Sequence, residues 1–162
     1  AKGLGLALDK PLIHIPTLEG MAYNLHGSSS VICPIMDARR NQVYTGVYRF
    51  SEGKLEVLEE QTAIAVEELI QKLNEKGEKV IFLGDGVPVY AEQLKEGLTI
   101  PFAFAPANMN RQRASSVGLL GIEYFKQGKT ETAREHQPDY LRVSQAERER
   151  NEREKAKESK NA

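Results

Sequence analysis

The stretch Val31-Ile-Cys-Pro-Ile-Met36 decides the fold, because six residues without a charge predict a strand buried on both faces. A charged turn follows at 37–42, and the next run, 43–50, is rich in β-branched and aromatic residues. After a second turn at 51–54, residues 55–63 alternate apolar and acidic side chains. The sequence therefore predicts a meander of three antiparallel strands.

Helices and strands alternate beyond the meander. Apolar residues at 66, 69, 70 and 73 recur with the period of a helix, and Gly77 stands where a helix end favours a left-handed residue. The following pattern predicts a strand at 79–84, a short helix at 87–96, an edge strand at 99–105 and a buried helix at 117–125.

The residues before the meander predict a separate unit. Residues 1–8 are typical of the last turns of a buried helix, and 11–16, bounded by two prolines, predict a short edge strand. Thr17 is placed to cap a helix that runs to residue 24. Gly27 and three serines then form a flexible loop.

The order of the elements predicts an α/β fold, a mixed five-stranded sheet flanked by helices. This order matches one lobe of the ribonuclease-H-like superfamily that includes actin, Hsp70 and acetate kinase (ASKHA), whose members have two such lobes. We therefore predict a remnant of the N-terminal lobe at 1–27, a C-terminal ribonuclease-H-like lobe at 28–143 and a charged, frayed tail at 144–162.

The composition restricts the function. The 22 basic and 23 acidic side chains nearly cancel, so the chain lacks the electropositive field that supplies most non-specific affinity for nucleic acid. No stretch approaches the roughly 18 to 20 apolar residues of a membrane span. The single cysteine, Cys33, lies in the apolar run, where it predicts a small buried hydrophobe and agrees with the reducing cytoplasm.

Two carboxylates are candidates for metal chemistry. Asp37 ends the first strand and Asp85 follows the fourth, and these strands are parallel neighbours in a ribonuclease-H-like sheet, so the carboxylates can meet at one sheet edge. That geometry suits a two-metal nuclease or a magnesium ion bound to nucleotide. Alternatively, Asp37 and Asp85 are turn residues. Gly84 and Gly86, at a strand-to-helix junction, are weak candidates for receiving phosphate.

The three histidines, His14, His26 and His136, have irregular spacing and no cysteine or carboxylate cluster beside them in the sequence. We predict surface or satisfied core histidines rather than metal ligands, and no cofactor.

Several phrases together resemble the TsaB (YeaZ-like) family. They are Ala1-Lys-Gly-Leu-Gly-Leu-Ala-Leu8, Pro11-Leu-Ile-His-Ile-Pro-Thr-Leu-Glu-Gly20, Ile32-Cys-Pro-Ile-Met-Asp-Ala-Arg-Arg-Asn-Gln-Val-Tyr44, Leu83-Gly-Asp-Gly86 and Pro138-Asp-Tyr-Leu-Arg142. Relative to the family pattern, about the first 70 residues are missing, consistent with a lost lobe. The resemblance implies a non-catalytic partner of the enzyme TsaD, acting with TsaE in threonylcarbamoyladenosine (t6A) modification of tRNA. It also implies a homodimer at full length and contact with tRNA only through the complex.

The resemblance to the paralogous enzyme TsaD bears on catalysis. That enzyme holds its metal through the two histidines of a His-Met-Glu-Gly-His sequence, and the corresponding stretch here is similar to Thr17-Leu-Glu-Gly-Met21. Both imidazoles are replaced, by a hydroxyl and a soft thioether, so metal catalysis is not expected at this position.

Two surfaces are predicted to contact partners. In the family, the region of the first helix contributes to self-association and to pairing with TsaD, and here it carries Gly3, Leu4, Leu6, Ala7 and Leu8. Arg39 and Arg40, at the tip of the hairpin, are side chains favoured at interfaces. The alternatives are intramolecular packing for the helix and a solvated turn for the arginines.

Three hypotheses for function remain. The first is the non-catalytic partner of TsaD and TsaE. The alternative is a metal-dependent hydrolase, glycoprotease-like or a nuclease, built on Asp37 and Asp85. A third is an ATP-binding module of the kinase-like superfamily.

Overall fold

The computed structural model describes residues 1–141. Its strands are β1 (Val31–Asp37), β2 (Gln42–Ser51), β3 (Lys54–Ala65), β4 (Val80–Leu83) and β5 (Phe102–Phe104). Its α-helices are α1 (Lys2–Leu8), α2 (Thr17–Ala22), α3 (Val66–Lys76), α4 (Val87–Gly97) and α5 (Ala114–Lys126). Short 3-10 helices occupy Tyr23–Leu25 and Ala107–Met109. The predicted tail, 144–162, lies outside the described residues.

The strands form one sheet in the order β3-β2-β1-β4-β5. The pairs β1–β2 and β2–β3 are antiparallel, whereas β1–β4 and β4–β5 are parallel. The predicted mixed five-stranded sheet, the meander at its start and the edge position of the last strand are confirmed.

Helices cover both faces of the sheet. Successive side chains of a strand point to opposite faces, so Cys33 and Ile35 enter the core shared with α3 and α4 while Ile32 enters a second core. The second core is closed by Leu18 and Met21 of α2. The segment preceding the hairpin therefore packs on the sheet, and the predicted domain division at residues 27 and 28 stays a prediction.

Two predictions for residues 11–17 are wrong. Residues 11–16 form no strand; the backbone of Leu12 makes a single antiparallel bridge to Glu131. Prolines at both ends remove N–H donors, which limits ladder formation. Thr17 is the first residue of α2 rather than its cap, which is Pro16, and no side chain caps that helix end.

The predicted burial of the first and last helices is also wrong. In α5, only Ser116 and Leu120 are buried, and Phe125 is 59% exposed. In α1, only Gly5 is buried. Both helices form as predicted, but each has at most one narrow side against the rest of the described chain. Within residues 1–141, no helix has both the length and the apolar character needed to cross a membrane.

Candidate functional site

Asp37 and Asp85 lie together at the carboxyl ends of two central strands. Register pairing of Pro34 with Leu83 places the ends of β1 and β4 side by side. The Asp85 carboxylate accepts a hydrogen bond from the backbone N–H of Asp37, with 3.3 Å between nitrogen and oxygen. The predicted meeting of the two residues at one sheet edge is therefore seen in the structure.

The Asp37 carboxylate is already engaged within its own turn. Its Oδ1 accepts hydrogen bonds from the Arg39 backbone N–H at 2.8 Å and from the Tyr90 hydroxyl at 2.9 Å. Its Oδ2 forms an ion pair with the Arg39 guanidinium at 3.1 Å. The bond from the Arg39 N–H is the main reason that the pKa of Asp37 lies below its usual value. These contacts support the turn alternative for Asp37.

Tyr90, which was not among the residues predicted from the sequence, fixes this site from the side of α4. Its hydroxyl donates to Asp37 and also lies 3.3 Å from the carbonyl oxygen of Gln42. Burial, and then the bond to Asp37, raise the pKa of Tyr90, so it is a neutral donor. The sequence feature that could have indicated this role is a tyrosine among the apolar positions of a short helix.

Gly84 and Gly86 are required by close packing rather than by an exposed phosphate site. Gly84 has a φ of 113°, and a Cβ added there would lie 2.9 Å from the carbonyl carbon of Ile35 and closer to its oxygen. The Gly84 N–H donates to the Asn110 side chain at 2.7 Å, and the Gly86 N–H donates to the Ile35 carbonyl at 3.1 Å. Both amides that were candidates for receiving phosphate therefore have protein acceptors.

Thr17 and Met21, which the resemblance to TsaD matched to that enzyme's two histidines, both lie on α2 but differ in burial. Met21 is 1% exposed and packs in the second core, whereas Thr17 is exposed. Thr17 borders a cleft of about 390 Å³ whose lining includes His14, Met36 and Tyr44. Met21 is thus a core side chain.

Glu19, which lies between Thr17 and Met21 and was not predicted from the sequence, is a buried carboxyl. It is 8% exposed and accepts a hydrogen bond from the Tyr124 hydroxyl of α5. Burial raises the pKa of Glu19, and burial together with the bond to Glu19 raises the pKa of Tyr124. The sequence feature that could have indicated this burial is an acidic residue within an otherwise apolar helix.

Two of the three histidines converge in the fold, where one carboxylate lies beside them; their prediction as surface or satisfied core histidines stays a prediction. The Nδ1 of His136 lies 2.7 Å from Oε1 of Glu131, and the ring of His136 lies 5.6 Å from that of His14. Sequence spacing did not reveal this group because His14 is separated by more than 100 residues of sequence from Glu131 and His136. His26, in contrast, packs against the rings of Tyr23 and Phe50, as expected of a structural histidine.

The two predicted contact surfaces are both accessible. Leu4 and Leu8 of α1 are 69% and 63% exposed. At the hairpin tip, residues 39–41 have positive φ in succession, which is unusual for side chains other than glycine. This conformation places Arg39 and Arg40 in solvent.

The mixed sheet has helices on both faces, with Asp37 at the end of β1 and Asp85 two residues after the end of β4. It defines an α/β lobe of the ribonuclease-H-like ASKHA class. A family model described as "TsaD: tRNA N6-adenosine threonylcarbamoyltransferase" matches residues 1–150. The tRNA threonylcarbamoyladenosine biosynthesis protein TsaB of Bacillus subtilis (strain 168) is 34% identical over 149 residues, covering 91% of this chain and 62% of that protein. The chain belongs to the TsaB/YeaZ family, as predicted, and spans about three fifths of the length of this curated relative.

Solved structures share the fold. YeaZ from Pseudomonas aeruginosa superposes with a TM-score of 0.70 at 20% identity, covering 86% of this chain and 64% of that one. A crystal structure described as an uncharacterized protein with similarity to peptidase YeaZ, also from Pseudomonas aeruginosa, gives 0.71 at 22% identity, covering 87% and 63%. These likenesses confirm the predicted fold class.

Proposed function

We propose that this chain is a non-catalytic partner in threonylcarbamoyladenosine modification of tRNA, pairing with a TsaD-type transferase and acting with TsaE. Membership of the TsaB/YeaZ family supports the pathway. The proposed location is the cytoplasm, and the proposed contact with tRNA is through the complex. The near balance of acidic and basic side chains supports that indirect contact.

The burial of Met21 is the main observation that supports the non-catalytic role. In the resemblance to TsaD, residues 17 and 21 stand where the enzyme has its two metal-binding histidines. A thioether that is 1% exposed and packed in the second core has no access to a metal or a substrate. The bonds that occupy Asp37, Gly84 and Gly86 support the same role, because they leave little free at the sheet edge.

The exposed apolar side of α1 is the proposed docking surface for the TsaD-type partner. Leu4 and Leu8, one helical turn apart, lie on this side, whereas Leu6 is exposed on another side of the helix. A Cβ added at Gly3 would meet nothing within 4 Å. Ala7 lies on the same short helix and is exposed. Because the TsaD family model matches residues 1–150, a partner of that kind has a related fold, so related surfaces can pair about a pseudo-two-fold axis. Arg39 and Arg40, at the hairpin tip, are proposed as a second, polar contact.

The test is calorimetric binding of the 162-residue chain to TsaD, with a variant carrying Leu4→Asp and Leu8→Asp. Burying one leucine stabilises a complex by about 1.5–3 kcal/mol, so binding should weaken by at least about tenfold. Val89→Asp is the matched control, since Val89 is an exposed apolar residue on α4. Restoration of t6A in an extract depleted of TsaB should follow binding.

Three outcomes contradict parts of the proposal. Unchanged TsaD affinity in the double aspartate variant rules out α1 as the docking surface. Self-association that the same substitutions abolish, without TsaD binding, assigns the surface to a second copy instead. Absence of both TsaD binding and restored t6A rules out the proposed function.

A metal-dependent hydrolase remains the second candidate because Asp37 and Asp85 do meet at the sheet edge. Asp37→Ala and Asp85→Ala should then abolish metal-dependent turnover. Variants that fold and still support t6A formation to the parental level would exclude a catalytic role of these carboxylates in that process.

A further inference from the structure

His14, Glu131 and His136 form a compact group of potential metal ligands. One ligand atom from each residue lies within 4.8 Å of the other two, and all three residues are half-buried. The group combines two imidazole nitrogens with one carboxylate oxygen, a donor set found at zinc sites in proteins. It shares no residue with the sheet-edge group of Asp37, Gly84, Asp85 and Gly86.

The backbone holds the segments of this group in place. Leu12 and Glu131 exchange two backbone hydrogen bonds, at 2.9 and 3.0 Å, which fix the segment containing His14 against the one containing Glu131. The turn that follows is closed by a bond from the Thr132 hydroxyl to the Glu135 carboxylate at 2.7 Å. A further bond, from the His136 N–H to the Thr132 carbonyl at 3.1 Å, returns His136 towards Glu131.

We propose that His14, Glu131 and His136 bind one divalent transition-metal ion of the Zn²⁺ type. Zinc bonds of about 2.0–2.2 Å in a tetrahedral site separate ligand atoms by roughly 3.3–3.5 Å. The distance of 2.7 Å between the Nδ1 of His136 and the Oε1 of Glu131 must therefore lengthen when the ion binds. Separations between ligand atoms that approach 4.8 Å must shorten by on the order of 1 Å. Side-chain rotation supplies such changes without moving the backbone bonds.

Solvent reaches two of the three proposed ligands. His14 and Glu131 border a cleft of about 360 Å³, which gives water access to complete the coordination. The cationic Lys129, in the same cleft, stacks on the ring of Tyr124 with its nitrogen 4.0 Å from the ring centroid. Glu19 also borders this cleft, where its carboxyl accepts the hydrogen bond from the Tyr124 hydroxyl.

Metal binding would link three parts of the chain. His14 lies in the segment between α1 and α2, and the other two ligands lie beyond α5. The Nζ of Lys2 donates to the backbone carbonyl of His136 at 2.8 Å, so α1 is tied to the same segment. The bound ion therefore acts as a cross-link that slows separation of residues 131–136 from residues 12–14.

The test titrates Co²⁺ into the metal-free 162-residue chain without a histidine tag, followed by competition with Zn²⁺. We expect one equivalent of Co²⁺ with the absorption bands of a four-coordinate ion, displaced by Zn²⁺. His14→Gln, His136→Gln and Glu131→Gln should each weaken binding by at least about tenfold, since even outer contacts of metal sites contribute that much. His26→Gln is the control, because this histidine lies outside the group, and it should bind as the parent does.

Hydrogen exchange supplies a second readout that is independent of ligand spectra. Zn²⁺ should slow exchange of the amides of residues 131–136 in the parent and not in His14→Gln. Circular dichroism establishes that each variant is folded. Absence of Co²⁺ binding by the folded parent, or equal binding by folded His14→Gln or His136→Gln, overturns the proposal. Neither result bears on TsaD binding, which is measured separately.

Discussion

Gly84→Ala tests the account of the sheet edge most directly. The residue combines a φ of 113° with a contact in which an added Cβ lies 2.9 Å from the Ile35 carbonyl carbon. The strained backbone costs about 1–3 kcal/mol, and forcing a methyl group against a packed strand costs about 1–3 kcal/mol more. We therefore expect a loss of roughly 2–6 kcal/mol, a large share of the 5–15 kcal/mol typical of a domain.

Substitutions at two other glycines distinguish the cost of the backbone conformation from the cost of the steric contact. Gly53 also has a positive φ, 77°, but a Cβ there would meet nothing within 4 Å. Gly53→Ala should therefore cost only about 1–2 kcal/mol. Gly118 lies within α5 with open space around it, so Gly118→Ala should stabilise the chain by about 0.5–1 kcal/mol.

Urea unfolding of the parent and the three variants, followed by circular dichroism, measures these differences. The order of stability should be Gly118→Ala, parent, Gly53→Ala and then Gly84→Ala. If Gly84→Ala and Gly53→Ala lie within about 1 kcal/mol of each other, close packing against Ile35 is not what requires a glycine. The phosphate alternative for this loop would then regain support.

Three further predictions concern buried or bonded groups. Burial raises the pKa of Glu19 above 4.5, so its contribution to stability is present below that pH and lost as pH rises through the folded pKa. The unfolding free energy of the parent relative to Glu19→Gln should fall towards neutral pH, and a constant difference would contradict this. Burial raises the pKa of Cys33 to about 12, so iodoacetamide should modify the thiol only as fast as the chain opens; alkylation at the rate of a free thiol would refute its burial. Asp37→Asn should cost about 1–3 kcal/mol at neutral pH. Because the folded pKa of Asp37 is lowered, this cost should shrink as pH falls below about 3.8, and a cost that persists in acid would exclude the ionised hydrogen bonds as its source.

Local patterns were sufficient for the sheet and its principal helices. The uncharged run of β1 predicts a strand buried on both faces, and the alternation of apolar and polar residues in β3 predicts a strand buried on one face. Gly77 indicated the end of α3, and the structure gives it a φ of 72° in the left-handed region. Each of these features depends on residues that are near one another in the sequence.

The contacts that form the candidate sites could not be predicted from local sequence patterns. Nothing local to Asp37 indicates that Tyr90 donates to it, and nothing local to His14 indicates that Glu131 and His136 lie beside it. Such contacts depend on how helices and connecting segments return to the sheet. The parallel order of β1 and β4 was the exception, because a recognised topology predicted that Asp37 and Asp85 meet.

The two wrong predictions of helix burial have one physical explanation. The sequences of α1 and α5 are apolar enough for a core, and a helix of that kind is stable in water when its side chains are covered. Within residues 1–141 they are largely uncovered, with Leu4 and Phe125 more than half exposed. The rule that apolar residues of a helix are buried holds for Leu69 and Leu73 of α3. Its failure at α1 and α5 indicates that their apolar side chains are available to contact another molecule. For α1 this is independent support for the proposed docking surface, because it depends on exposure in the structure and not on family resemblance.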